Sequence, residues 1–213
     1  MKRICMVCLT VIALFVSGTA YAYCTNVKPT VTVRSNQGRI KYITNMARQS
    51  FIQKYNASPN TLGLTVAELK VNMTGTPRVR QNSRETCVSL KEVDFDIGYD
   101  EILVYIDKNY KPGSCQYRVV KDHENYHVAV HRQAMSFFKK DIEAAIRKSV
   151  SKLKPQQVTS SAQAQNVVNT QFQQIQRDIA PLLKHINMKI KEKNDAIDTP
   201  ESYQKSSTMC PSW

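Results

Sequence analysis

The chain has 213 residues, a formal net charge of +13 and a hydrophobic content of 42%, which is enough to build a sizeable core in one domain. The positive charge is spread along the chain and favours anionic surroundings such as phospholipid headgroups or polyanionic envelope polymers. Because no basic motif with interleaved aromatic residues is present, we expect no nucleic-acid partner.

The N-terminus has the layout of a cleaved secretory signal. The basic start MKR precedes the apolar run VCLTVIALFV, and the small-residue ending AYA closes at Ala22. No later stretch is long and apolar enough to span a bilayer. The sequence therefore predicts a signal peptide at 1–22 and a single mature domain at 23–213 that is secreted or periplasmic.

Four cysteines would remain after cleavage at Ala22, and an even number in an exported chain predicts two disulfides and no free thiol. Three pairings are possible. We favour Cys87 with Cys115, since both flank one strand-rich segment, which leaves Cys24 to tie the N-terminus to Cys210. None of the four has the close paired spacing that a cysteine zinc site uses.

The first half of the chain mixes strand patterns with one helix pattern. TVTVR at 30–34 alternates as a half-buried strand does, and residues 39–55 place Ile40, Ile43, Ala47 and Phe51 at helical spacing. LTVAELKVNM at 64–73 predicts a strand. CVSLKEVDFDI at 87–97 and, after a turn at 98–100, EILVYI at 101–106 predict two more. Together they predict a sheet-rich part at about 28–107.

The second half of the chain indicates two long helices. Ser114 is placed to cap a helix from about 115 to 153, and apolar residues then recur every three or four positions from Val168 to Ile190. Pro181 should kink the second helix without ending it. We expect an antiparallel helical hairpin at about 115–196 and a C-terminal tail at 197–213. The predicted fold is thus α+β, with a small, mostly antiparallel sheet packed on the hairpin.

The first predicted helix carries the motif HENYH at 123–127, which has the form HExxH. Residues four apart on a helix lie about 6 Å apart along the axis on nearly the same face, so His123 and His127 can close on one zinc ion. Glu124 flanks that face, where it can take a proton from a metal-bound water. Both histidines fall on the apolar stripe of the helix and need partners there, either a metal or hydrogen bonds to backbone or carboxylates.

The order of strand and helix around this motif carries a resemblance. EILVYI comes directly before the motif helix, in the order in which zinc peptidases place the edge strand that lines their cleft. HENYH in this context resembles the HExxH metallopeptidases called zincins. VYIDKNYKPGSCQYRVVKDHENYHVAVHR, with IDTPESY near the C-terminus, is similar to a family of uncharacterised exported bacterial proteins expected to be zinc-dependent proteases. The resemblance implies a zincin-like domain, zinc as the cofactor and a peptide or protein substrate.

A catalytic zinc is expected to have a third protein ligand, and the sequence leaves its identity open. In the family that the chain resembles, a motif YDxxTxH supplies a histidine, but IDTPESY at 197–203 has Tyr203 in that place. We favour Glu201, the nearest strong zinc ligand in this segment, over Tyr203.

Other residues compete with Glu201 for the position of third ligand. His131 stands about 12 Å along the helix axis from His123. No glycine lies between them to end the helix and bring His131 back to the metal, as the long metzincin motif requires. If the hairpin turns near residue 157, His185 or Glu192 comes within reach of His127. Asp122 or Asp195 could orient a ligand histidine from behind.

The sequence thus predicts an exported zinc-dependent hydrolase, a peptidase with Glu124 as general base and with His123, His127 and Glu201 as metal ligands. Two alternatives remain open. One is a non-enzymatic basic protein whose hairpin binds anionic envelope components, and the other is a degenerate relative that binds metal without activity. Neither the substrate nor the oligomeric state is legible in the sequence.

Overall fold

The structure is a computed structural model that describes residues 24–83 and 85–213, so the predicted signal peptide at 1–22 lies outside the described residues. Within them the chain forms five strands, four α-helices and a short 3₁₀ turn at Ser161–Gln163. In chain order the strands and α-helices are β1 (Thr30–Ile43), α1 (Arg48–Tyr55), β2 (Gly63–Ala67), β3 (Lys70–Gln81), β4 (Thr86–Ile106), α2 (Cys115–Lys152), β5 (Gln156–Val158), α3 (Ala164–Asp195) and α4 (Pro200–Thr208).

All five strands belong to one mixed sheet with β4 at its centre. β1 pairs with β4 in parallel, whereas β2, β3 and β5 pair with it antiparallel. The predicted α+β class is confirmed, but the prediction of a mostly antiparallel sheet is corrected to a mixed one. The reason is that the chain builds α1, β2 and β3 between β1 and β4, a connection long enough to let β4 return parallel to β1.

Long-range pairing also changes two local predictions. Ile40 and Ile43 belong to β1, where they pair with β4, so the helix predicted at 39–55 is shortened to α1. The turn predicted at 98–100 lies inside the continuous strand β4. Gly98 has a φ of 139°, and a Cβ there would lie 1.9 Å from the carbonyl oxygen of Asn36. Only glycine therefore lets β1 and β4 remain paired at this point.

The two long helices cover one face of the sheet, and α1 packs on part of the other face. Alternate residues of β4 form one core with α2 and α3, while Phe51 and Ile52 of α1 pack against Tyr105 on the opposite face. α2 begins at its predicted cap, where the Ser114 side chain accepts a hydrogen bond from the backbone N–H of Tyr117 at 3.2 Å. Across the described ranges, no helix has both the length and the apolarity needed to cross a membrane.

Contacts between α2 and α3 run in opposite directions along the two helices. His127 contacts Asn194, Phe138 contacts His185 and Ser149 contacts Asp178. As the residue number increases along α2, the number of its partner on α3 decreases, so the two helices are antiparallel. Pro181 lies inside α3, which continues on both sides of it. The N-terminal part of α2 is thereby set beside the C-terminal end of α3.

Two disulfides are present, Cys24–Cys87 and Cys115–Cys210. The prediction of two disulfides is confirmed, but the favoured pairs, Cys87 with Cys115 and Cys24 with Cys210, are wrong. Cys87 lies at the start of β4 and Cys115 follows its end, and a strand of 21 residues at about 3.3 Å per residue holds these positions tens of ångströms apart.

Candidate metal centre

The candidate site lies where α2 meets the turn between α3 and α4. Asp198 is held in that turn because its backbone N–H donates to the carbonyl of Asn194 at 3.2 Å. Thr199 caps α4 by accepting a hydrogen bond from the backbone N–H of Ser202 at 3.2 Å, with Pro200 as the first helical residue. The disulfide at Cys115 ties the start of α2 to the chain just after α4. This folding brings Asp198 over the histidine face of α2.

Three metal-ligating atoms converge at this point. His123 Nε2 lies 2.9 Å and His127 Nε2 lies 3.2 Å from Asp198 Oδ1, and the two Nε2 atoms are 3.3 Å apart. Zinc with bonds of about 2.0–2.1 Å at tetrahedral angles holds its ligand atoms about 3.3 Å apart. Two imidazoles and one carboxylate are also a donor set that catalytic zinc uses. The three residues therefore fit a zinc ion, and they form the one group of metal-ligand type found across the described residues.

Burial and mutual contacts set the charges of these residues. Burial alone would raise the pKa of Asp198, but hydrogen bonds with His123 and His127 outweigh it and hold this pKa well below its usual range. Burial lowers the pKa of His127, yet its contacts with Asp198 and Asn194 outweigh burial and raise that pKa. A cation beside Asp198 is thus favoured, and a proton and a metal compete for the same atoms.

A chain of hydrogen bonds orients His127 from behind. Its Nδ1 lies 3.0 Å from Asn194 Oδ1, and an amide oxygen only accepts, so Nδ1 carries the proton and Nε2 keeps its lone pair for the centre. Asn194 Nδ2 in turn lies 3.5 Å from Nε2 of His131, whose Nδ1 is 3.2 Å from the hydroxyl of Tyr99. Burial lowers the pKa of His131 to about 4, so this ring is neutral and can accept.

Glu124 lies beside the histidines against the edge strand β2. It is only 3% exposed, and Thr65 Oγ1 donates a hydrogen bond to its Oε2 at 2.8 Å. At Gly63 a Cβ would come within 2.8 Å of Glu124 Oε1, so glycine lets β2 approach this carboxyl group closely. Burial raises the pKa of Glu124. The carboxyl group is therefore held in one position and binds a proton more readily than an exposed one.

A small cavity adjoins Glu124 and the centre. It has about 10 Å³ of room for water centres, and its lining includes His123, Glu124 and Tyr203. That room suits about one water molecule. The hydroxyl of Tyr203 donates to Asp198 Oδ1 at 3.0 Å, and burial together with the charge of Asp198 raises the pKa of Tyr203. Tyr203 thus remains a hydrogen-bond donor at the edge of the centre.

The structure brings His123, Glu124 and His127 together as the motif predicted, but the carboxylate beside them is Asp198. Glu201 lies in the first turn of α4 and is exposed. Sequence reasoning missed Asp198 although a signal existed, since Asp198 occupies the acidic position of YDxxTxH. Thr199 followed by proline marks a helix start that places residue 198 just outside α4 and residue 201 inside it.

The remaining candidates lie away from the three converging atoms. His131 belongs to the hydrogen-bond chain behind His127. His185 packs its ring against Phe138 at a centroid distance of 6.0 Å, and Glu192 pairs with Lys189. Asp195 pairs with Lys191, and Asp122 is exposed on α2.

The strand beside the site is β2, not the predicted EILVYI. EILVYI lies within β4, where β1 pairs along one edge and β2 along the other, so no edge is left for a substrate. β2 pairs only with β4 among the described strands. The expectation that EILVYI is the edge strand beside the motif is thus corrected: β2 (Gly63–Ala67) holds that position.

Comparison of the chain with family models, with curated proteins and with solved structures found no match. What the protein does is therefore inferred from its own residues.

Proposed function

We propose that the protein is an exported zinc-dependent hydrolase, a zincin-like peptidase, in which His123, His127 and Asp198 hold the metal and Glu124 is the general base. The observation that carries this proposal is the convergence of two Nε2 atoms and one carboxylate oxygen within 2.9–3.3 Å of one another, beside a buried glutamate. A structural zinc site is closed by its protein ligands and does not require a carboxyl group beside a water-sized cavity, whereas a catalytic zinc site does.

The chemistry follows from what each group can do. Zinc, when bound, lowers the pKa of a water ligand to about 7 and polarises a carbonyl group. Glu124 accepts a proton from the attacking water and passes it to the amide nitrogen as the C–N bond breaks. Thr65 holds Oε2, which leaves Oε1 to carry that proton. Because burial raises the pKa of Glu124, its protonated form is favoured midway through the cycle.

Replacement of Glu124 by Gln tests the catalytic role directly. General acid–base catalysis typically contributes about 10²- to 10⁴-fold in rate. Glu124→Gln should therefore lose turnover of a cleaved peptide by that factor while zinc content and melting temperature stay close to those of wild type. Glu201→Gln, which changes an exposed carboxylate three residues from Asp198, is the matched control and should keep full turnover.

Two results would contradict the proposal. One is a Glu124→Gln variant as active as wild type. The other is a zinc-loaded wild-type protein that cleaves nothing in a broad peptide library, which would favour a metal-binding protein without activity.

A further inference from the structure

A groove between α2 and α3 begins at Val130 and Lys193, within one helical turn of His127 and Asn194. On α2 it is lined by Val130, Ala134 and Phe137, which continue the face that carries the two histidines at spacings of three and four residues. Val130 stands about 4.5 Å along the helix axis from His127, and Phe137 about 10 Å farther. The groove has a volume of about 580 Å³, within the usual range of ligand sites.

The groove combines an apolar lining with positive charge. Phe137 is 77% exposed at its edge, whereas Phe138 and Ile190, which also line it, are buried. Phe137 does not stand alone, because Val130 and Ala134 line the same groove, and a contiguous apolar surface of this kind marks a binding site more often than a single exposed side chain does.

The titratable groups that line the groove are His185, Lys189 and Lys193, and no carboxylate is among its lining residues. Lys189 pairs with Glu192 on the same helix, whereas Lys193 is in no ion pair within the described part of the chain. A ligand that suits this lining has an apolar part and a negative charge.

We propose that the groove binds the part of a peptide substrate next to the scissile bond and selects an apolar side chain followed by a carboxylate. This inference rests on the proposed hydrolase function and adds a substrate class to it. The groove lies on the histidine side of α2, one turn beyond His127, which favours a substrate that spans both. A concave groove also suits an inserted side chain better than it suits a flat membrane surface.

Binding can be measured without cleavage in the zinc-loaded Glu124→Gln protein. The probe is a fluorescein-labelled peptide with leucine and phenylalanine followed by two aspartates, and its twin has two lysines instead of the aspartates. Fluorescence anisotropy should show tighter binding of the acidic peptide.

Groove variants of the same protein should weaken that binding. Phe137→Ser should weaken it about tenfold, the loss expected for one large apolar contact. Lys193→Glu should weaken it about threefold and remove the preference for the acidic twin. Tyr126→Ser, which removes a 64% exposed aromatic side chain of α2 outside the groove, is the control and should bind like its parent.

Three results would overturn the inference. The first two are equal binding of the two peptides and undiminished binding by Phe137→Ser. The third is that, in place of peptide binding, Phe137 supports association with vesicles of anionic phospholipid or with a second copy of the chain. The experiments distinguish failure of the groove inference from failure of the proposed hydrolase function.

If Phe137→Ser cleaves peptides with the KM and selectivity of the wild type, only the groove inference is refuted. Groove-dependent peptide binding by a protein that takes up no zinc refutes only the hydrolase.

Discussion

Asp198 is the residue that completes, with the two histidines, a group of three side chains able to hold a metal ion. Loss of a residue that merely supports a ligand typically costs 10- to 100-fold in metal affinity, so loss of a ligand should cost more than about 100-fold. We expect Asp198→Ala to weaken zinc binding by at least that factor in competition with a chromogenic chelator.

Glu201→Ala is the matched control for this measurement, because Glu201 is an exposed carboxylate on the adjoining turn. Its zinc affinity should stay within about twofold of wild type. The opposite outcome, a strong loss in Glu201→Ala and none in Asp198→Ala, would make Glu201 the third ligand.

The side chain of Asn194 would act on a bound metal through His127. Its amide oxygen accepts from Nδ1 of His127 at 3.0 Å and so fixes the tautomer that leaves Nε2 free. Asn194→Ala should weaken zinc binding about 10- to 100-fold, and Asn194→Asp, which keeps an acceptor, should retain most of the affinity. If Asn194→Ala binds zinc as tightly as wild type, the orienting role is refuted.

At the scale of residues, the sequence predicts which side chains come together when they lie on the same helix. The spacing of His123, Glu124 and His127 is local, and the structure brings these three residues together. Asp198 is signalled only by its place in IDTPESY, because its position over the histidines depends on a turn between two helices that is closed by backbone hydrogen bonds and a disulfide, which periodicity does not reveal. For the same reason the partners of His127 and His131 could not be predicted.

At the scale of elements, the helices follow their own sequences whereas the strands depend on their neighbours. α2 matches its prediction almost to the residue, because capping and apolar spacing are properties of the segment itself. The residues of β1 that have helical spacing become a strand because β4 offers them a partner. β2 is the edge strand at the site for the same reason. β1 and β2 pair on either side of β4, and this pairing cannot be read from the sequence of any one strand.

The two disulfides should differ in their effect on the site. Cys115–Cys210 joins the start of α2 to the end of the segment that carries Asp198, whereas Cys24–Cys87 ties the N-terminal segment to the start of β4. Replacing either pair by serines should lower the free energy of unfolding by about 2–4 kcal/mol. Only the Cys115→Ser, Cys210→Ser variant should also lose zinc affinity, because the turn that holds Asp198 is then less constrained.

Denaturant titration and zinc competition on the two double variants check this expectation. The Cys24→Ser, Cys87→Ser variant is the control for destabilisation alone. Equal loss of zinc affinity in both variants would show that the effect is one of global stability and not of the tether at α4.

At the scale of the whole molecule, the α+β class was predictable because strand patterns precede helix patterns along the chain. The parallel pairing of β1 was not predictable, since the direction of β4 relative to β1 depends on the intervening segment. The result is a sheet with α2 and α3 on one face, and the candidate metal centre lies where α2 meets the turn that leaves α3. The protein thus presents its candidate ligands on two segments that the core and one disulfide hold together.

Zinc content per chain is the measurement that tests the metal centre most directly. Purified mature protein, loaded with zinc and freed of excess by gel filtration, is compared by elemental analysis with His127→Ala prepared in the same way. We predict one zinc per chain in the wild type and less than about one tenth of that in the variant, since the remaining two ligands cannot hold the ion tightly. A wild type that retains no zinc, or a His127→Ala variant that retains as much as the wild type, would contradict a centre formed by His123, His127 and Asp198.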